Sequence, residues 1–267
     1  MSRIRLLACY AGLLAGTAAP NFSAAVPIRS AVISPHHGSL DTKQPSFAQD
    51  ATPPTAKDQT EACLLVLNSL RAKGLNGLLN ELTKANEDEV RESLQPAGKS
   101  GNKTSVIEIA QELAGTDKST CDATTANKSP YSGLVITFDH SAEFDCESLI
   151  NESFTTGLNH LQEQNYDASA DTTKLGEAPW DNLAAKNLAA IVSTKAEKVS
   201  CAATTDCEAG SNVLFCYFIQ PLALDEVQPI KAEVYEALLR RQQGSACIPL
   251  PGITAALFTL ALAILSQ

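Results

Sequence analysis

The chain has 267 residues, with 20 basic against 30 acidic side chains and a formal net charge of −10. That balance argues against charge-driven binding to nucleic acid or to an anionic membrane surface, and it suits a soluble ectodomain or a cationic partner. The length allows one or two domains, and eight cysteines raise the question of an oxidising compartment.

The N-terminus carries Arg3 and Arg5, then an apolar run over residues 6–19. Ser23-Ala24-Ala25 supplies the small residues that a signal peptidase reads, so residues 1–25 are expected to be a signal peptide cleaved after Ala25. Residues 26–57 hold Pro27, Pro35, Pro45, Pro53 and Pro54 among polar residues and read as a flexible extension. His36-His37 lies there and reads as an exposed dipeptide.

The folded part is expected over residues 58–243. Ala62, Leu65, Val66, Ser69 and Leu70 mark the face of a first helix that carries Cys63 and stops at Gly74. Residues 75–94 continue in helical pieces. Residues 95–102 form a loop whose Gly98-Lys99-Ser100 is not a phosphate-binding loop: the first glycine of that motif would fall on Ser93, and no apolar strand precedes it.

Residues 106–114 form an amphipathic helix through Ile107, Ala110, Leu113 and Ala114, leading to Cys121. Residues 134–138 are the clearest strand, ending at Asp139-His140. Residues 144–161 are helical, with Cys146 in the first turn and Leu149, Ile150, Phe154 and Leu158 as the buried stripe.

Residues 178–219 organise the chain. Pro179 suits a first helical position, and Trp180, Ala184, Leu188 and Ile191 repeat at helical spacing with Leu183 beside them. The period then changes to two: Val199, Cys201 and Ala203 alternate with polar neighbours as in a half-buried strand. Residues 213–219 are apolar on both faces, as in a covered central strand. If the two strands pair around residues 206–212, Cys201 and Cys216 face each other, with Cβ atoms roughly 4.5–5.5 Å apart. Cys207 lies in that loop and needs a partner from elsewhere. A last helix is expected through Val234, Tyr235, Leu238 and Leu239, with Arg240 and Arg241 at its C-terminal end.

The C-terminus has small residues Gly244-Ser245-Ala246, an uncharged spacer, and an apolar tail over residues 255–265. This predicts a glycosylphosphatidylinositol (GPI) attachment signal over residues 244–267, with Ser245 or Gly244 as the attachment residue. Trimming both ends removes Arg3, Arg5, Cys9 and Cys247, which makes the balance more acidic still. Cys63, Cys121, Cys146, Cys201, Cys207 and Cys216 remain, an even set that argues for three disulfides although six cysteines allow 15 connectivities. Zinc is not expected: there is no C-x-x-C, and no histidine stands at ligand spacing near the cysteines.

Several stretches resemble the surface antigen family of Eimeria, GPI-anchored proteins of apicomplexan parasites. They are Cys63-Leu64-Leu65 with Asn68 and Arg71; Trp180-Asp181-Asn182-Leu183-Ala184 with Asn187-Leu188; and Ser200-Cys201-Ala202 with Leu214-Phe215-Cys216-Tyr217-Phe218. That family is similar in turn to the CAP superfamily of cysteine-rich secretory proteins. The resemblance implies an α/β fold, a three-layer α-β-α sandwich stapled by three disulfides. By the same analogy Cys201 would pair with Cys216, Cys121 with Cys207, and Cys63 with Cys146. Many CAP proteins hold a divalent metal through two histidines, but this chain has Leu67 before Asn68 and Pro179 before Trp180 at those places. No metal, cofactor or catalytic residue is therefore expected.

The chain has no G-x-S-x-G or H-E-x-x-H, and His140 and His160 read as surface or structural residues. Sequons at Asn102, Asn127 and Asn151 permit N-glycosylation, the last within a helix. The expected function is that of a non-catalytic surface antigen in host-cell attachment, with an unidentified receptor or glycan, host antibodies and the membrane lipid as partners, and no nucleic acid. The alternative is a lipid- or sterol-binding module, for which an apolar groove beside the Trp180 helix would speak.

Overall fold

The computed structural model describes residues 51–94, 103–126, 129 and 131–246. The signal peptide, His36, His37, the 98–100 tripeptide, Asn102, Asn127 and the tail from residue 247 lie outside the described residues.

Strands β1 (Ala56–Asp58), β2 (Thr83–Lys84), β3 (Leu134–Asp139), β4 (Lys198–Thr204) and β5 (Ser211–Phe218) form one sheet. Its order is β1-β4-β5-β3, with β2 parallel to the far end of β4 and the other pairs antiparallel. The helices are α1 (Thr60–Ala72), α2 (Glu87–Leu94), α3 (Val106–Ala114), α4 (Cys146–Glu163), α5 (Leu183–Ile191) and α6 (Ala232–Ala246).

Alternation along the strands divides the interior into two cores. Leu134, Phe138, Val199, Cys201, Ala203, Leu214, Cys216 and Phe218 face α1, α4, α5 and α6. Val135, Ala202, Val213, Phe215 and Tyr217 face α2 and α3. The second layer corrects the half-buried reading of β4, because Ala202 and Thr204 are fully enclosed as well.

A strand also begins before residue 58. β1 starts at Ala56, and the Lys118 N–H donates to the Thr52 carbonyl at 2.8 Å. Residues 75–94 are not simply helical either: they turn, pair briefly as β2 and only then form α2.

Two helices differ from the sequence reading in ways that matter for the site. On α1 the buried face is Thr60, Cys63, Leu67 and Arg71, whereas Leu65, expected inside, is 76% exposed. Arg71 continues the four-residue spacing of Cys63 and Leu67, and its enclosed guanidinium turns the helix to that face. Helix α5 starts at Leu183, not Pro179. Asn182 caps it by accepting the Ala184 and Ala185 N–H groups at 2.9 and 3.2 Å, and Trp180 lies in the preceding turn. Where α5 crosses α4, Gly157 is essential, since a β-carbon there would stand 2.2 Å from the Ala184 carbonyl oxygen.

Candidate functional site

The cysteines come together across long stretches of chain. Cys63 on α1 bonds Cys146 in the first turn of α4, Cys121 bonds Cys207, and Cys201 on β4 bonds Cys216 on β5. Cys201 and Cys216 are directly opposite in the strand register. Ligating atoms of Cys63, Cys201 and Cys216 lie within 4.8 Å of one another, the one such metal-sized group among the described residues. All three sulfurs are already in disulfides, so the cluster offers no thiolate to an ion.

Several polar side chains that carry the family resemblance hold backbone. Arg71 is 1% exposed. Its Nε donates to Asn80 O at 2.9 Å, Nη1 to Ile191 O and Ser193 O at 2.7 and 2.9 Å, and Nη2 to Ala196 O at 3.3 Å. Burial pushes its pKa down to about 10, so it stays charged at neutral pH, balanced by carbonyl dipoles instead of a carboxylate. Asn68 both accepts from the Leu82 N–H and donates to the Leu82 carbonyl, at 2.7 and 2.9 Å. Asn187 does the same to Val135, at 3.0 and 2.7 Å.

Trp180 is fully buried, edge-on to Tyr166 with ring centres 4.9 Å apart, and its indole N–H has no hydrogen-bond acceptor among the described residues. Burial and a hydrogen bond to Asp171 push the Tyr166 hydroxyl well above the usual phenol range.

Leu67 and Pro179 are structural here. Leu67 is fully enclosed in the core. The Pro179 carbonyl accepts a hydrogen bond from His160 Nε2 at 3.1 Å, which gives that histidine a structural partner. His140 lies just past β3, its Nδ1 3.5 Å from Asp139 Oδ1.

Asn151 is half-buried on α4, and Ser153 of the same sequon accepts a bond from Asn187 Nδ2 at 2.9 Å. Gly244 and Ser245 fall in the last turn of α6, which continues past the helix end expected at Arg241. Among the described residues no helix is long and apolar enough to cross a membrane.

A groove of about 320 Å³ opens at the end of the sheet where β3 begins and β5 finishes. Tyr131, Val135, Ala190, Phe218 and Leu222 give it apolar walls, and Lys186 lies on its α5 side. Leu224 on its rim is 54% exposed. Tyr131 donates to Glu112 Oε2 at 3.0 Å; burial and that bond push its hydroxyl up to about 12.

No protein-family model matches the chain, and neither does any curated protein sequence. Among solved structures, the crystal structure of the Eimeria tenella surface antigen protein SAG19 matches with 44% identity and a TM-score of 0.66, over 71% of this chain and 99% of that one. The chain belongs to the Eimeria surface antigen family. Within that family's fold, the described antigen domain uses Arg71, Asn68 and Asn187 as clasps between elements 9 to 125 residues apart. Sequence reasoning missed these roles because their partners are backbone groups, which leave no residue pattern. The one available signal was Arg71 at the helical spacing of Cys63 and Leu67.

Proposed function

We propose that this protein is a non-catalytic surface antigen, held on the outer leaflet of the plasma membrane by a GPI lipid at Ser245 or Gly244. In this reading it contributes to host-cell attachment or invasion and is exposed to host antibodies. The observation that carries it is 44% identity across nearly the whole of a solved surface antigen. Three disulfides suit an oxidising, extracellular setting, and the leader and tail patterns suit export and lipid attachment. Helices on both faces of the sheet agree with a CAP-like α-β-α sandwich, and apolar Leu67 and Pro179 agree with the loss of its metal chemistry.

Treatment of intact parasites with phosphatidylinositol-specific phospholipase should release the protein into the medium. Retention, with a control antigen released, would remove the anchor from the reading. Antibodies against the domain should lower host-cell entry, and unchanged entry would remove attachment.

The groove beside α5 favours a second reading, a lipid- or sterol-binding module. Saturable binding of labelled cholesterol or of a fluorescent fatty acid, competed by unlabelled lipid, would support it; absence of both would end it.

A further inference from the structure

The rim of the sheet is closed along β4 and open along β3. On the β4 side, β1 and β2 cover the two ends. Between them the Cys201 N–H donates to Thr60 Oγ1 at 2.9 Å, and the Cys201 carbonyl accepts from the Gln59 N–H at 2.9 Å. On the β3 side, the bonds reveal which way each backbone group points. Val213 on β5 donates its N–H toward β4, to Thr204 Oγ1 at 2.9 Å. Its register partner Thr137 therefore belongs to a non-bonded pair and turns its N–H and C=O away from β5. Val135, two residues earlier, points the same way and is closed by the Asn187 amide, which stands in for a neighbouring strand.

Nothing does this for Thr137. It is exposed, and among the described residues neither its N–H nor its C=O has a partner. The Asp139 N–H points outward too, while the Asp139 carbonyl accepts from the Ala142 N–H at 3.0 Å.

A groove of about 530 Å³ follows this edge, walled by the first half of α4. Half-buried Ile136 and Leu149 give it an apolar strip, and Asp139, Glu143, Asp145 and Glu152 line it with no lysine or arginine among them. Two of these carboxylates are used locally: Asp139 accepts from the Ser141 N–H at 2.8 Å beside His140, and Asp145 caps α4 through the Glu147 N–H at 3.0 Å. Glu143 and Glu152 are exposed and have no partner among the described residues.

We propose that this edge binds an extended, lysine- or arginine-rich segment of a partner protein, which joins the sheet as a strand beside β3. Three outward backbone groups, the Thr137 N–H and C=O and the Asp139 N–H, supply the main-chain bonds. Glu143 and Glu152 select the charge. A second copy of this chain would bring the same carboxylates against themselves, so self-pairing is disfavoured. The site goes beyond the antigen role and does not depend on the lipid anchor.

The test is a titration of the purified protein with a labelled heptapeptide alternating lysine with valine, read by fluorescence anisotropy and by amide hydrogen exchange. Saturable binding that slows exchange at Thr137 and Asp139 is expected. Exposed Glu143→Lys with Glu152→Lys should weaken it by about tenfold, the scale of two surface ion pairs replaced by repulsion. Thr137→Pro, which removes an outward N–H and no ladder bond, should abolish it. The proposal is overturned by no saturable binding, by equal binding of a glutamate–valine peptide, or by full affinity in the charge-reversed variant. It is also overturned by protection at other amides, or by a dimer in which Thr137 is already protected without peptide.

Discussion

The two faces of the sheet solve the same problem differently. One carries four helices, two disulfides that bring the Cys63, Cys201 and Cys216 sulfurs within 4.8 Å of one another, and a buried arginine that gathers four carbonyls. The other carries two short helices, the Cys121–Cys207 bridge and tyrosines whose hydroxyls reach Glu112 and Ser93. On the thick face, long-range polar clasps position whole helices; on the thin face, a covalent bond ties a hairpin loop to the end of α3's connection. Both faces carry a long-range disulfide, so what distinguishes the thick one is the buried polar clasps that position its helices.

The largest expected effects test that difference directly. Cys63–Cys146 and Cys121–Cys207 span 83 and 86 residues, so removing either as a paired cysteine-to-alanine change should cost about 4 kcal/mol through the unfolded chain. Urea unfolding of the two variants would then differ only by what each bridge does in the folded state. Equal losses would break the contrast between the faces, and a larger loss for Cys121–Cys207 would sharpen it.

Arg71→Met keeps the volume of the thick face but strips three buried carbonyls and one part-buried carbonyl of their donor. It should cost about 3–4 kcal/mol by the same measurement, whereas a loss under about 1 kcal/mol would show that water replaces the guanidinium. Asn187→Ala should cost about 2 kcal/mol by leaving Val135 unpaired, and should speed amide exchange at Val135 more than at β5. Unchanged exchange at Val135 would show that α5 does not hold that edge.

The smallest effect belongs to the thin face and to alkaline pH. The folded-state pKa of Tyr131 is raised to about 12, so its contribution is complete below the unfolded value near 10 and fades as pH climbs toward 12. Tyr131→Phe should therefore flatten the alkaline limb of the stability profile and cost about 1 kcal/mol at neutral pH, where the bond to Glu112 is intact. An identical limb in the variant would exclude Tyr131 as its source.

Much of the scaffold was legible from local pattern. The stretch 106–114 matches α3 residue for residue, because its apolar spacing and the Ser105 cap coincide, with the Glu108 N–H donating to Ser105 Oγ at 3.3 Å. Residues 134–138 were equally clear, since a β-branched run has little helical alternative. The weaker readings share one cause: the information was not local. β1 and β2 are three and two residues long, too short for a period, and exist because β4 offers them an edge. Pro179 has good chemistry for a helix start, yet Asn182 supplies the cap that the folded chain uses.

By itself the sequence determined the types of the longer elements, the division of strand residues between two faces, and the family blocks, because each depends on neighbours within a few residues or on residue identity. Tertiary structure alone decided the rotation of α1, the roles of Arg71 and Asn187, and the open edge at Thr137. Each of those depends on where a backbone N–H or C=O ends after folding, and every residue but proline carries both groups alike.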